Sequence, residues 1–341
     1  CERVLAPKAR PTADNCGCVR KGIRRKILLQ KLSMRTQKHK VIPARTSPGQ
    51  KRSALPVQSP DGSEKSARGR CGVRIGTANV GTMRGRSGEV VDMADRRCLD
   101  FCCLQETRWK SSGARTIGKY KFFWSGCSEG TAGVGILVKE SWVDKVLEVK
   151  RINERIIVLR VRVGDSVLNL VSVYAPQVGR GMEEKEEFLI SLGDALSGVD
   201  ASERLVVCGD LNGHVGSVKE GFDGVHGGFG YGARNIEGEM LLEFADAMNL
   251  AVANTWFRKN DQKLVTFESG GCKTVVDYIL VRKSERNALR NVTVMLGESC
   301  LLQHKLLVGM LQLGECRNEK KEVLMSRCKV WRLKEPEIRQ A

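Results

Sequence analysis

The chain has 341 residues, 41% hydrophobic and 28% charged, with a formal net charge of +18. These are the values of an ordinary globular protein, and no apolar run approaches the roughly 18 residues that cross a bilayer, so membrane partners are not expected. The charge is uneven: residues 1–70 hold 18 of the 57 Lys/Arg but only 4 of the 39 Asp/Glu.

That first segment, 1–70, reads as a basic, disordered arm, because so few apolar side chains cannot offset the entropy of ordering it. Within it, 23–32 has the pattern of a short basic amphipathic helix. Such a stretch is a nuclear signal, a mitochondrial leader or a nucleic-acid-binding arm, with a plain solvated tail as the equal alternative. No apolar segment with a cleavage signal stands at the start, so secretion is not expected, and the opening Cys1 suggests a fragment or an incomplete gene model.

The pattern changes at Cys71, and residues 71–313 read as one folded domain. A strand is expected over 73–78, then a helix capped by Ser87 and running to Asp95, with Val90, Val91 and Ala94 inward. Buried strands follow at 101–104 and 133–138. Alternating runs 157–163 and 167–174 form a hairpin about Gly164-Asp165 with one face in a core. Phe188, Leu189, Leu192 and Leu196 mark a helix over 183–196. A strand at 204–208, a Gly-rich loop at 213–232 and a helix near 237–249 come next. Strands near 251–255, 264–267, 274–281, 291–296 and 306–313 complete the domain, and 314–341 reads as a polar tail. Many strands with a few interspersed helices predict an α/β fold in which two sheets pack face to face with helices outside.

Thirteen cysteines without a Cys-x-x-Cys pair, and four scattered histidines, His39, His214, His226 and His304, argue against structural zinc. The cysteines read as reduced and mostly buried.

The chemistry-bearing residues stand where apolar runs end. Asn79 follows the first strand, Gln105-Glu106-Thr107 the second, and Tyr174 closes the hairpin. Gly209-Asp210-Leu211-Asn212 ends the run at 205–208, Asp277 opens Tyr278-Ile279-Leu280, and His304 precedes Leu306. Read alone, Gly-Asp and Asn-Gly are turn dipeptides, and a histidine beside leucines is more often a core residue. Together, carboxylates, carboxamides, a phenol and an imidazole at one sheet rim suit phosphodiester cleavage with a hard divalent metal.

This ordered series resembles the endonuclease/exonuclease/phosphatase superfamily over roughly residues 73–313. Gly224-Val225-His226-Gly227-Gly228-Phe229-Gly230-Tyr231-Gly232 and Asn254-Thr255-Trp256-Phe257 resemble its retrotransposon endonucleases of the LINE type, RTE/BovB branch. The resemblance implies a DNase I-like four-layer α/β/β/α fold. It implies Mg²⁺, with Mn²⁺ as a substitute, held by Glu106 with Asn79. Asp210 would activate water, Asn212 and Tyr174 would contact the scissile phosphate, Asp277 would hold the His304 ring, and Arg108 would reach a DNA phosphate. DNA is then the partner, nicked to leave a 3′-hydroxyl, with no obligate protein partner. Localisation is expected to be nuclear, with the cytoplasm as the alternative. Two rivals are carried: a weakly active or inactive chromatin-binding protein, and a phosphatase of the same fold. Two departures bear on activity: Gln303 stands where the family has Asp before the His, and Gly81 where abasic-site enzymes carry an acid. His214 has no assigned role, His226 reads as structural or exposed, and Trp256 as core.

Overall fold

The computed structural model describes residues 69–316; the expectations for the arm before residue 69 and for the tail beyond residue 316 lie outside the described residues. The chain runs through β1 (Gly69–Asn79), α1 (Ser87–Arg96), β2 (Phe101–Gln105), β3 (Ser112–Ile117), β4 (Tyr120–Ser125) and β5 (Val134–Lys139). A short α2 (Glu140–Val143) leads to β6 (Val146–Asn153), β7 (Ile156–Val163), β8 (Ser166–Tyr174), α3 (Met182–Ser197) and β9 (Arg204–Asp210). After α4 (Ile236–Ala247) come β10 (Leu250–Val252), β11 (Phe267–Ser269), β12 (Cys272–Thr274), β13 (Asp277–Arg282), β14 (Leu289–Met295) and β15 (Leu306–Cys316).

A seven-stranded sheet has the order β14-β15-β1-β2-β5-β4-β3, and a six-stranded sheet the order β10-β13-β9-β8-β7-β6. Side chains alternate across each strand, and that alternation sorts the core into three slabs. Phe101, Cys103, Ile136 and Val138 face Ile157, Leu159, Leu170, Val206 and Ile279 between the sheets. Cys102, Leu104 and Leu137 turn the other way, onto Val90, Val91, Met93 and Ala94 of α1. Val158, Val171, Val207 and Leu280 pack on Phe188, Leu189 and Leu192 of α3 and Leu241 and Phe244 of α4. The expected helix–sheet–sheet–helix layering is therefore present, and adjacent Cys102 and Cys103 lie on opposite faces of β2.

Several local expectations are corrected. Three strands come where none was expected: β3, largely exposed Ser-Gly-Ala-Arg-Thr-Ile that pairs with β4, then β4 itself, and β6 with a broken register against β7. The hairpin strand β8 is buried on both faces, because it lies between β7 and β9 with α3 behind it. Ser87 opens α1 as its first residue, and Arg86 at the cap position makes no side-chain cap hydrogen bond. The strand expected at 251–255 shortens to β10 and becomes a 3-10 turn over Ala253–Trp256. Residues 264–266 precede β11 rather than forming a strand. The β1–β15 ladder reaches Gly69 and Cys316, just beyond the expected 71–313 boundary. Cys98 and Cys272 are exposed rather than buried.

Each sheet contains one parallel pair, and that is what assembles the site. β1 and β2 run parallel, as do β8 and β9. Parallel neighbours end at the same rim, so Asn79 arrives beside Gln105, and Tyr174 beside Asp210. Antiparallel β15 on β1 and antiparallel β13 on β9 begin where their partners end, which brings His304 and Asp277 to the same rim. Asp277 pairs directly with Asp210.

Candidate active site

Glu106 enters the cleft from a backbone in the left-handed region, with φ of 53°, as does Arg108 at 52° and Asn212 at 47°. Such conformations cost L residues about 1–2 kcal/mol each and persist where neighbouring structure over-determines them. Here Thr107 N–H donates to Gly133 O, Arg108 N–H to Ala132 O, and Met83 N–H to Thr107 O. Gly209 permits the close approach of β9 to β8: a Cβ there would collide with the Val173 carbonyl.

The Glu106 carboxylate is met by three donors. Asn79 Nδ2 donates to Oε1 at 2.9 Å, the Tyr174 hydroxyl to Oε1 at 2.8 Å, and Arg108 Nη2 to Oε2 at 2.8 Å. Burial by itself raises this carboxyl, but the hydrogen bonds from Asn79, Arg108 and Tyr174 outweigh it, so Glu106 stays ionised below its ordinary value. Burial first, then the Glu106 charge, pushes the Tyr174 phenol far up, which keeps it a donor. The same Asn79 amide donates to Asp210 Oδ2 at 3.1 Å, so one carboxamide ties the two sheets' carboxylates together. Its own oxygen accepts from Gly81 N–H.

The other half of the cleft is drier. Asp210 and Asp277 are buried and His304 nearly so. His304 Nδ1 lies 2.9 Å from Asp277 Oδ2, leaving Nε2 facing Asp210 Oδ2 at 3.8 Å. Asp277 N–H donates to the Thr266 hydroxyl, whereas Asp277 Oδ1 is buried and has no partner among the described residues. Burial, reinforced by the Asp277 charge, pushes Asp210 up to about 7. Burial lowers His304, but the Asp277 and Asp210 carboxylates override it and push the ring up to about 9. One ligand atom from each of Asp210, Asp277 and His304 lies within 4.8 Å of the others. With Glu106 across the Asn79 bridge, this oxygen-rich donor set fits a hard divalent cation, and the orphaned Asp277 oxygen is the kind of atom a cation would satisfy.

The structure thus brings Asn79, Glu106, Tyr174, Asp210, Asp277 and His304 together. Asn212 and Arg108 are placed differently from expectation. The Asn212 amide nitrogen is held by the Ala175 carbonyl at 2.9 Å, while its N–H caps Asp210 Oδ1. Arg108 sits on Glu106 rather than standing free. Gln303 turns out of the cleft and donates to Ser269 Oγ at 2.9 Å. His226 is fully buried; its Nδ1 accepts from Gly228 N–H and its Nε2 meets Gly216 O, which makes it a loop strut. His214 Nε2 bonds Thr274, and Trp256 is half-buried beneath the Arg286 guanidinium, 4.1 Å from the ring centroid.

Sequence reasoning missed two supports. Asn254 donates to Asp277 O and accepts from Ile279 N–H, clamping the start of β13. Thr266 holds the Val276 and Asp277 amides. Asn254 stood in a motif noticed for its resemblance; nothing in the spacing tied Thr266 to Asp277.

Carboxylates, a carboxamide, a phenol and an imidazole gathered at one rim suit phosphoester hydrolysis. The chain belongs to the Endonuclease/Exonuclease/phosphatase family, whose sequence profile matches residues 76–297. It is 28% identical over 243 residues to craniofacial development protein 2 of Tragulus javanicus, covering 70% of this chain and 42% of that protein. The Bos taurus protein matches at the same identity over 41% of its length, so the chain spans about two fifths of these curated relatives. The fold is shared with the AP endonuclease LMAP of Leishmania major (TM-score 0.54, 15% identical, 71% of this chain and 88% of that one). It is shared too with the endonuclease domain of TRAS1, a telomere-specific non-LTR retrotransposon (TM-score 0.52, 18% identical, 71% and 99%).

Proposed function

We propose that this chain is a divalent-metal-dependent DNA endonuclease. One observation carries the reading: the Asn79 carboxamide links Glu106 on one sheet to Asp210 on the other, opposite the Asp277–His304 pair. Glu106, oriented by Asn79, would hold Mg²⁺ or Mn²⁺, which would neutralise charge developing on the phosphate. Asp210, raised by its surroundings, is suited to take a proton from the attacking water. His304, charged and fixed through Nδ1 by Asp277, presents Nε2 to the phosphate oxygens. The Tyr174 hydroxyl and Asn79 keep Glu106 oriented. In-line attack leaves a 3′-hydroxyl.

DNA as substrate is supported by the endonucleases among the fold's relatives, and by the basic segment 1–70, which suits phosphate backbones. A nuclear location accords with that partner. The second reading, a weakly active or inactive chromatin-binding protein, is favoured by Gln303, which offers no anion and is tied to Ser269 outside the cleft.

Nicking of supercoiled plasmid with Mg²⁺ or Mn²⁺, by wild type, Glu106→Ala and Asp210→Ala, separates the two. Metal-dependent open circle lost in both variants is expected. A folded wild-type protein that retains DNA but does not nick would sink the nuclease reading.

A further inference from the structure

The three donors on Glu106 differ in how firmly they are held. Asn79 and Tyr174, both on Oε1, are buried side chains fixed by β1 and β8. Arg108, on Oε2, has a pinned backbone: its N–H donates to Ala132 O, and its carbonyl accepts from Arg84 Nε at 2.7 Å. Its side chain, however, is 48% exposed against 14% for Glu106. The guanidinium therefore hangs from a rigid turn over the mouth of the cleft, and Glu106 is the anion it covers. A cation approaching Glu106 from the cleft meets a like charge on Oε2. Phosphate competes well for this side chain, because a planar guanidinium fork matches phosphate oxygens as well as carboxylate ones.

We infer that Arg108 is a latch on the metal-binding carboxylate. It covers Glu106 Oε2 in the free protein and transfers to a DNA phosphate when a duplex enters the cleft, so that DNA and metal binding reinforce each other. The inference rests on the metal-dependent nuclease reading above. By linkage, whatever factor DNA adds to metal affinity, metal adds to DNA affinity. The free protein would then hold metal weakly, and the centre would be completed on its substrate.

The test reads metal binding rather than cleavage. Free Mn²⁺ is followed by paramagnetic resonance while the full chain is titrated. Arg108→Gln is expected to bind Mn²⁺ roughly tenfold more tightly than wild type, the equivalent of losing one competing charge-assisted hydrogen bond. Lys110→Gln removes an equal charge from an exposed side chain two residues on, and is expected to change affinity less than about twofold. Arg108→Lys, a milder change, should fall between. A short phosphorothioate duplex, with its own Mn²⁺ uptake subtracted, should tighten Mn²⁺ binding to wild type and leave Arg108→Gln unchanged. Equal affinities in wild type and Arg108→Gln, or equal tightening by DNA in both, would overturn the latch and leave the nuclease reading standing. Absence of Mn²⁺ binding in every form, or binding indifferent to Glu106→Gln, would overturn both.

Discussion

The two sides of the cleft are built on the same plan and have opposite electrostatics. On each side a parallel pair ends at the rim and an antiparallel strand begins there: β1, β2 and β15 on one sheet, β9, β8 and β13 on the other. The Glu106 side is half-open, and donors hold its carboxylate ionised below the ordinary value. The Asp210 side is buried and crowded: Asp277 stands beside Asp210, His304 reaches over from the other sheet, and both the Asp210 carboxyl and the His304 ring are pushed up. Strand topology fixes where the groups stand; local burial and the number of donors fix whether each is a ready anion or a proton store.

Substitutions that remove one side at a time break this comparison. Asp210→Ala, which deletes the proposed proton acceptor, is expected to lower plasmid nicking by roughly 10³-fold, and raising Mn²⁺ should recover none of it. Glu106→Gln keeps shape and loses the anion; the fall should be about 10²-fold, and excess Mn²⁺ should recover part. Equal recovery in both variants would mean that the division into anion and proton store is wrong.

A buried neutral histidine braces the loop that follows β9. Burial pushes His226 down to about 4 from an ordinary value of 6.5. An unfolded chain takes up this proton first, so the stabilisation is complete above pH 6.5 and is lost progressively as pH falls to 4. The total is about 3 kcal/mol. Urea unfolding at pH 7.5 and pH 5 should show the loss, and His226→Gln should flatten that part of the profile while lowering stability at pH 7.5. The smallest effect is expected from Gln303→Asp. Its side chain points to Ser269, so nicking should change less than about threefold; a larger gain would mean that this residue swings into the cleft on binding.

Much of this arrangement was legible in the chain itself. The runs ending at Gln105 and Asp210 are apolar on both faces, as strands covered by a sheet on one side and a helix on the other must be. Their polar terminal residues marked the rim. β3 and β6 were hidden because their exposed edge positions carry Arg, Lys, Glu and Gly, which read as loop. The roles of Arg108 and Asn212 were hidden for another reason. Whether a donor faces ligand or protein depends on backbone conformation, and both residues adopt a left-handed φ that motif spacing does not reveal. Thr266 supports Asp277 across a bend from outside any motif.

The position of β15 sets an order of assembly. The last described strand is an interior one, hydrogen-bonded to β1 on one side and β14 on the other. A nascent chain that has emerged only as far as residue 300 lacks His304, and one edge of β1 has no neighbour. Exposed strand edges invite pairing with other chains, so in this interval the open edge of β1 is available for association. The same delay withholds His304: the Asp210–Asp277–His304 cluster is complete only when β15 pairs with β1.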